Sequence, residues 1–466
     1  MTPRVGTIEE TAAALRAGTL TSVELATGLL RRADALDPKL GTYLARFDEF
    51  AIEAAARADA EFSQGIDRGP LQGIPLGIKD LFATEEGPTS AQSLVLDPDW
   101  GARGDAPVVR RLRDQGAVIM GKTTTNEFAV GLPDPTKPFP IPRNPWDTAL
   151  WAGGSSSGTA NGISAGLFLG GLGTDTGGSV RYPSAACGIT GLKPTFGRVP
   201  KAGCVPLGWT LDVVGPMART ARDCALLLTA LAGHHPSDPQ SAGVPAADYT
   251  GSLTGSVAGL RIGVEREHHT GLASIPRATV KCFESAVHQL EEAGAEVGEV
   301  TFRNYEQVRE ATWVVLLSEA LAYHRRDLQE RWGDYCASTR TALATAAFYS
   351  GSDYVQAQRV RTLARSEMAK TFEGYDVVLT PTVAGGAVAP DVDMGSLSES
   401  LFTFVWNAVG FPALSVPMGF DDDGLPLGLQ IAGRPFEEGL VLQVGDAFQQ
   451  RTSWHEREPP LNPEVD

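Results

Sequence analysis

The sequence predicts an α/β fold in which helices cover a largely buried sheet. Two kinds of segment, in alternation, predict it. Short apolar runs such as residues 74–78 (IPLGI), 117–120 (AVIM) and 377–382 (VVLTPT) have the length of buried strands. Between them lie longer stretches with apolar residues at helical spacing.

Taken in order, the first 65 or so residues read as helical. Thr7 with Glu10 and Thr21 with Glu24 fit the capping-box pattern, each ahead of an Ala/Leu-rich periodic run. A polar loop over 63–70 leads into residues 73–80 (GIPLGIKD), a buried strand that delivers Lys79 and Asp80 at its end. Asp105 is expected to cap a helix over 106–115, with Val108, Val109 and Leu112 inward and Gly116 as its stop. A strand over 117–120 follows. Beyond a glycine-serine centre at 153–184, the passage to Pro216 reads as loop. A helix starts at Thr220 with Cys224, Leu227, Leu228 and Leu231 on one face. Strands are expected at 260–264 and 295–300, flanking a helix through Val280, Phe283, Val287 and Leu290. Residues 305–373 read as helical, then come a strand at 377–382, a helix near 398–407, strands at 413–420 and 425–432, and a last helix. The linker-like stretch 234–254 is too brief to mark a boundary, so residues 1–466 are expected to form one domain.

Composition narrows the function. With 42% hydrophobic and 20% charged residues the chain has the make-up of a soluble globular protein. A formal charge of −17 argues against a nucleic-acid surface, which needs clustered Lys and Arg. No apolar run is long enough for a membrane span, and the opening residues carry acids and no apolar core of a secretory signal. Cytoplasm is therefore the expected location. The five cysteines are scattered, with no C-x-x-C pair, and the adjacent pairs His234-His235 and His268-His269 lack metal-ligand spacing. No metal or cofactor is expected.

Residues 153–184 hold two glycine-serine clusters, at 153–158 (GGSSSG) and 177–179 (GGS), around a small-residue segment. Ile163, Leu167, Phe168, Leu169 and Leu172 make the stretch too apolar for a linker. Buried Gly/Ser backbone with free N–H groups can hold an anion or a developing oxyanion. Three familiar motifs mislead here. Residues 116–123 (GAVIMGKT) match a phosphate-binding loop, but 117–120 is itself the strand. Residues 154–158 (GSSSG) match a nucleophile elbow centred on Ser156, but 147–152 is not a convincing strand. Residues 171–176 begin a dinucleotide fingerprint that lacks its last glycine at Thr176.

A serine hydroxyl is a poor nucleophile until a base takes its proton. With no persuasive His-Asp pair, a lysine depressed by burial is the remaining base, and Lys79 at the end of a buried run is best placed. Lys79, the 153–158 cluster and residues 175–181 (DTGGSVR) together resemble the amidase signature family. So do residues 121–128 (GKTTTNEF), 188–194 (GITGLKP), 212–217 (DVVGPM), 379–382 (LTPT) and 424–433 (GLPLGLQIAG), in order along most of the chain. The resemblance implies a large mixed, twisted sheet with helices on both faces. It implies a Ser-cisSer-Lys triad: Ser179 as nucleophile, Lys79 as general base, and Ser155, entered through a cis peptide, as the relay between them. Thr176, Gly177 and Gly178 would offer N–H groups to the oxyanion, with Ser156, Asp175 and Arg181 in support.

The chain departs from the family at Trp151-Ala152, where Pro-Gly is common, and at Ser157, where glycine is. Phe128, Trp151, Tyr182, Trp209, Trp313, Phe402, Phe404 and Trp406 are candidates for an apolar pocket. The expected function is a free-standing serine hydrolase of a small hydrophobic or aryl amide, ester or carbamate, of the aryl acylamidase or urethane-cleaving kind. It would have no nucleic-acid or membrane partner, and a homodimer is allowed. Two alternatives stand: the A subunit of a glutamine-dependent tRNA amidotransferase, and an α/β-hydrolase-type esterase using Ser156.

Overall fold

Eleven strands hydrogen-bond into one mixed sheet in the computed structural model, which describes residues 6–461. The N-terminal part contains α1 (Ile8–Arg16), α2 (Ser22–Leu40), β1 (Tyr43–Arg46) and α3 (Asp48–Ser63). Both predicted capping boxes close: Thr7 and Thr21 accept from the amides of Glu10 and Glu24, whose carboxylates reach back. The all-helical expectation for this segment is corrected by β1, a four-residue strand on the sheet edge, and its first five residues lie outside the described ones.

Next come β2 (Pro75–Lys79), α4 (Pro107–Asp114) and β3 (Val118–Thr123). Asp105 does not cap α4. It accepts from the Glu85 amide and pairs with Arg113, while Ala106 holds the cap position without a side-chain bond. The glycine-serine centre contributes α5 (Ser157–Ser164), β4 (Gly170–Asp175) and α6 (Arg181–Cys187). The passage expected to be loop contains β5 (Thr190–Lys193) and the start of β6 (Val213–Ala218), followed by α7 (Ala221–Leu231).

The second half runs β7 (Arg261–Glu265), α8 (Arg277–Glu292), β8 (Glu296–Val300), α9 (Tyr305–Glu330), α10 (Ala337–Thr345), α11 (Gly351–Gly374) and β9 (Val377–Pro381). The helix expected near 398–407 is two, α12 (Met394–Ser400) and α13 (Phe404–Val409), broken at Leu401–Thr403. The hairpin of β10 (Ala413–Phe420) and β11 (Pro426–Gly433) and then α14 (Glu438–Gln449) complete the fold.

The strand order is β1-β3-β2-β4-β6-β5-β10-β11-β9-β7-β8. β3, β2 and β4 run parallel, as do β9, β7 and β8, and the strands between them are antiparallel. Successive residues of a strand face opposite sides of the sheet. In β2, β3, β4 and β11 every residue is buried, so these central strands are covered on both faces. The main apolar cluster joins them to α1, α2, α7, α8 and α14. Pairing of β2 with β4, Ile78 opposite Leu172, brings Lys79 and Thr174 side by side beneath the glycine-serine centre.

Candidate active site

Lys79 ends β2 with its whole side chain buried. Its Nζ lies 2.7 Å from Ser155 Oγ, 2.8 Å from Thr174 Oγ1 and 3.0 Å from Ser156 Oγ. Burial, partly offset by Cys204, Asp175 and Asp212, pushes its ammonium down from the usual 10.5 to about 7. A neutral amine has two N–H bonds and one lone pair, so one of the three hydroxyls must donate to it. Ser156 is committed elsewhere: its Oγ donates to the Thr174 carbonyl and accepts from the Thr174 amide, both at 3.2 Å. Ser155 and Thr174 are left free to donate to Lys79, and of the two Ser155 lines the same cavity as Ser179.

The Gly154–Ser155 peptide is cis. Just beyond it, at the head of α5, the Ser156 amide donates to the Ser179 carbonyl at 3.1 Å and ties the two clusters together. Ser179 and Gly177 are half-buried within an otherwise buried loop, facing a cavity of about 600 Å³ including its open mouth. Ser155, Thr176, Gly177, Gly178 and Ser179 all line that cavity.

Asp175 organises the loop. It accepts from the amides of Gly178 at 2.8 Å and Val180 at 3.2 Å, and holds the Arg181 guanidinium through both oxygens at 2.9 Å. Burial pushes the carboxyl up, but the Arg181 charge outweighs it and holds Asp175 at about 2. Arg181 also donates to the Thr403 carbonyl, Gln430 Oε1 and Asn407 Oδ1, so β4, α6, α13 and β11 meet on one buried ion pair.

This arrangement corrects one expectation: the Gly178 N–H belongs to Asp175 and is not free for an oxyanion. Among the three proposed donors, Thr176 and Gly177 are not engaged by Asp175. Packing also bears on the two glycines. A Cβ on Gly177 would lie 2.6 Å from the Phe404 ring, and one on Gly178, whose φ is +135°, would lie 2.2 Å from Thr403 Oγ1. Close packing by the break before α13, as well as access for a carbonyl, excludes a side chain there.

Of the aromatic candidates, Trp151, Tyr182, Trp313 and Phe404 line the cavity. The other four do not. Phe128 is buried against His324 and Tyr335, Phe402 packs on His269, and Trp406 is a core residue between Phe302 and Phe372. Trp209 is 51% exposed, beside Lys201. Missed from the sequence were Asn126, Leu207, Leu316 and three residues of α12, Met394, Leu397 and Ser398. Trp313 on α9 donates to Ser398 Oγ at 2.8 Å, which holds α12 across the cavity. The Asn126 signal was present, inside the block 121–128, but a polar residue in a strand-to-turn segment carries no direction. Among the described residues no Asp, Glu, Lys, Arg or His lines the cavity, and no group of three or more His, Cys, Asp or Glu is placed to hold a metal.

The Ser156 elbow fails on this geometry as well, since residues 147–152 form no strand leading into it and its hydroxyl donates to the Thr174 carbonyl. The phosphate-loop match is mostly β3, where buried Lys122 pairs with Asp80.

The family model for amidases matches residues 24–442. The chain belongs to the amidase family. It is 40% identical to the A subunit of glutamyl-tRNA(Gln) amidotransferase from Roseiflexus sp. (strain RS-1), over 98% of each chain. The amidase superposes on native peptide amidase from Stenotrophomonas maltophilia with a TM-score of 0.85 at 32% identity, covering 98% of this chain and 99% of that one. It superposes on the A subunit of glutamyl-tRNA(Gln) amidotransferase from Thermotoga maritima with a TM-score of 0.80 at 29% identity, covering 96% and 94%. These relatives overturn the expectation of a free-standing hydrolase of a small hydrophobic or aryl substrate with no nucleic-acid partner. Full-length identity of this order to an amidotransferase subunit outweighs an aromatic count of which half lies outside the cavity. Net charge is a property of one chain and does not exclude an assembly that acts on tRNA. The fold and the amidase family stand as expected. No helix among the described residues is long and apolar enough to cross a membrane.

Proposed function

We propose that this amidase is an amidotransferase A-type subunit that hydrolyses the carboxamide of a glutamine donor and releases ammonia for a partner acting on tRNA. Full-length identity to curated subunits of that kind carries the reading. In it, Ser179 Oγ attacks the carboxamide carbon while its proton passes to Ser155 and from Ser155 to Lys79. The Thr176 and Gly177 amides stabilise the oxyanion, a contribution of about 3–4 kcal/mol for each donor of this kind. The tetrahedral intermediate expels ammonia with a proton returned through Ser155, and water then hydrolyses the acyl-enzyme by the same relay. Neutral Lys79 suits this role, since a base works best with a pKa near the working pH.

Ammonia release from L-glutamine by wild type, Ser179→Ala and Lys79→Ala, each alone and with any chain that copurifies, tests the reading. Wild type should release ammonia and both variants should lose it. The uncharged cavity lining makes substrate choice the sharper arm: turnover of neutral amides with none of glutamine, with or without a partner, would sink the amidotransferase reading.

A further inference from the structure

The loop that carries Ser179 is held by its carbonyls. That of Gly178 accepts from the Tyr182 amide at 2.7 Å, and that of Ser179 from the Ser156 amide at 3.1 Å. Gly177 is the exception. Among the described residues no backbone N–H reaches its carbonyl, which accepts from Thr403 Oγ1 at 2.5 Å, a side chain 226 residues further along the chain. The same peptide unit is gripped at its other end, where the Gly178 N–H donates to Asp175 Oδ1 at 2.8 Å. The C=O and N–H of a trans peptide point in opposite directions, so Thr403 and Asp175 hold the Gly177–Gly178 unit from two sides.

Thr403 is itself fixed. It lies in the break between α12 and α13, wholly buried and off the cavity lining. Its carbonyl accepts from Arg181 Nη1 at 3.0 Å. The preceding Phe402 donates its amide to the Thr382 carbonyl at 3.2 Å and accepts at its own carbonyl from Gln430 Nε2 at 3.1 Å. Glycine turns about φ and ψ at little cost, so a Gly–Gly peptide unit released at one end is free to rotate. Rotation would shift the Gly177 N–H, assigned above to the oxyanion, relative to Ser179 on the far side of the unit. A misplacement of about 1 Å at a reacting centre costs on the order of 10²-fold in rate. We infer that Thr403 is a positioning residue for the reaction: its hydroxyl locks the Gly177–Gly178 peptide and so sets the oxyanion donor against the nucleophile, without touching substrate. The inference rests on Ser179 as nucleophile and not on which amide is cleaved.

Two pairs of proteins differ at position 403 by the hydroxyl alone: wild type with Thr403→Val, and Thr403→Ser with Thr403→Ala. Within each pair, loss of the hydroxyl should lower kcat for L-glutamine by roughly 10- to 100-fold and leave KM within about twofold, because the bond serves the transition state. Thr403→Ser should stay close to wild type. A packing role predicts the reverse order, with Val harmless and Ser as poor as Ala. That order, or a rise in KM with kcat kept, overturns the inference. A fluorophosphonate gives the same reading without a choice of amide. Ser179 Oγ bonds to phosphorus, its proton passes through Ser155 to Lys79, fluoride leaves, and the phosphoryl oxygen takes the oxyanion's place. The maximal labelling rate, followed by intact mass, should fall as kcat does while the half-saturating concentration holds; equal rates within each pair overturn the inference. Should Thr403→Val fail to fold, the Ser and Ala pair decides alone. If wild type takes the label but leaves glutamine intact, the amidotransferase reading fails and the labelling rates still decide the role of Thr403. If Ser179→Ala is labelled as fast as wild type, the triad roles fail and the inference with them.

Discussion

At the residue scale the site depends on one lysine that burial keeps near neutrality. Lys79 must be unprotonated to accept a proton, so activity should rise with pH through its pKa of about 7. Below that value kcat/KM should fall about tenfold per pH unit, and Lys79→Ala should cost about 10²–10⁴-fold. A pH–rate profile from about 5.5 to 8.5 checks this, and a flat one would remove Lys79 from the role of base. Gly178→Ala makes a second case. A Cβ there would strike Thr403 Oγ1 from a left-handed backbone, so the loop must shift. About 1–3 kcal/mol of stability should be lost, read by urea unfolding, together with most of the turnover. Burial of Lys79 was legible in its apolar run, whereas its meeting with Ser155 was implied only by the family resemblance. The bond to the Gly178 amide was not legible, because only the fold shows that Asp175 claims it first.

Elements decide what the residues face. β4 was hidden in the sequence because its run GGLGTD has one large apolar side chain and no period. Its glycines are there for contact: a Cβ on Gly171 would lie 2.3 Å from the Gly77 carbonyl of β2, and one on Gly173 would lie 2.7 Å from Ser156 Oγ. The strands expected at 413–420 and 425–432 appeared within a residue, since their apolar runs are long and bounded by turn residues. Arg181 is the joint between elements. Replacing it with Met leaves Asp175 buried without its counter-charge, and about 3–5 kcal/mol of stability should go, seen in denaturant midpoints. A small change with lost activity alone would mean that the pair shapes the site without supporting the fold. The tie from Trp313 to Ser398 calls for a different readout. Trp313→Phe should free α12 from α9, raising KM several-fold with kcat and thermal stability little changed.

For the whole molecule, the alternation of strands and helices was enough to reach the fold class, but not the sheet order. Parallel ends joined by an antiparallel middle follow from long-range pairing, such as β5 with β10, which no local pattern encodes. Function has the same limit at this scale. A hydrolytic triad is a property of one chain, whereas delivery of ammonia to a second reaction is a property of an assembly, and nothing in residues 153–184 reports on it. An amidotransferase A-type subunit should therefore behave differently alone and in company. Alone, it should release ammonia from glutamine slowly. With its partner and the acceptor tRNA present, kcat/KM for glutamine should rise by about tenfold or more, because a partner that orders the cavity raises the fraction of molecules competent to react. Ammonia release measured on the isolated chain and on the complex copurified from its own cells decides this. Equal rates in both, with no chain retained at stoichiometric yield, would leave the triad intact and remove the amidotransferase assignment.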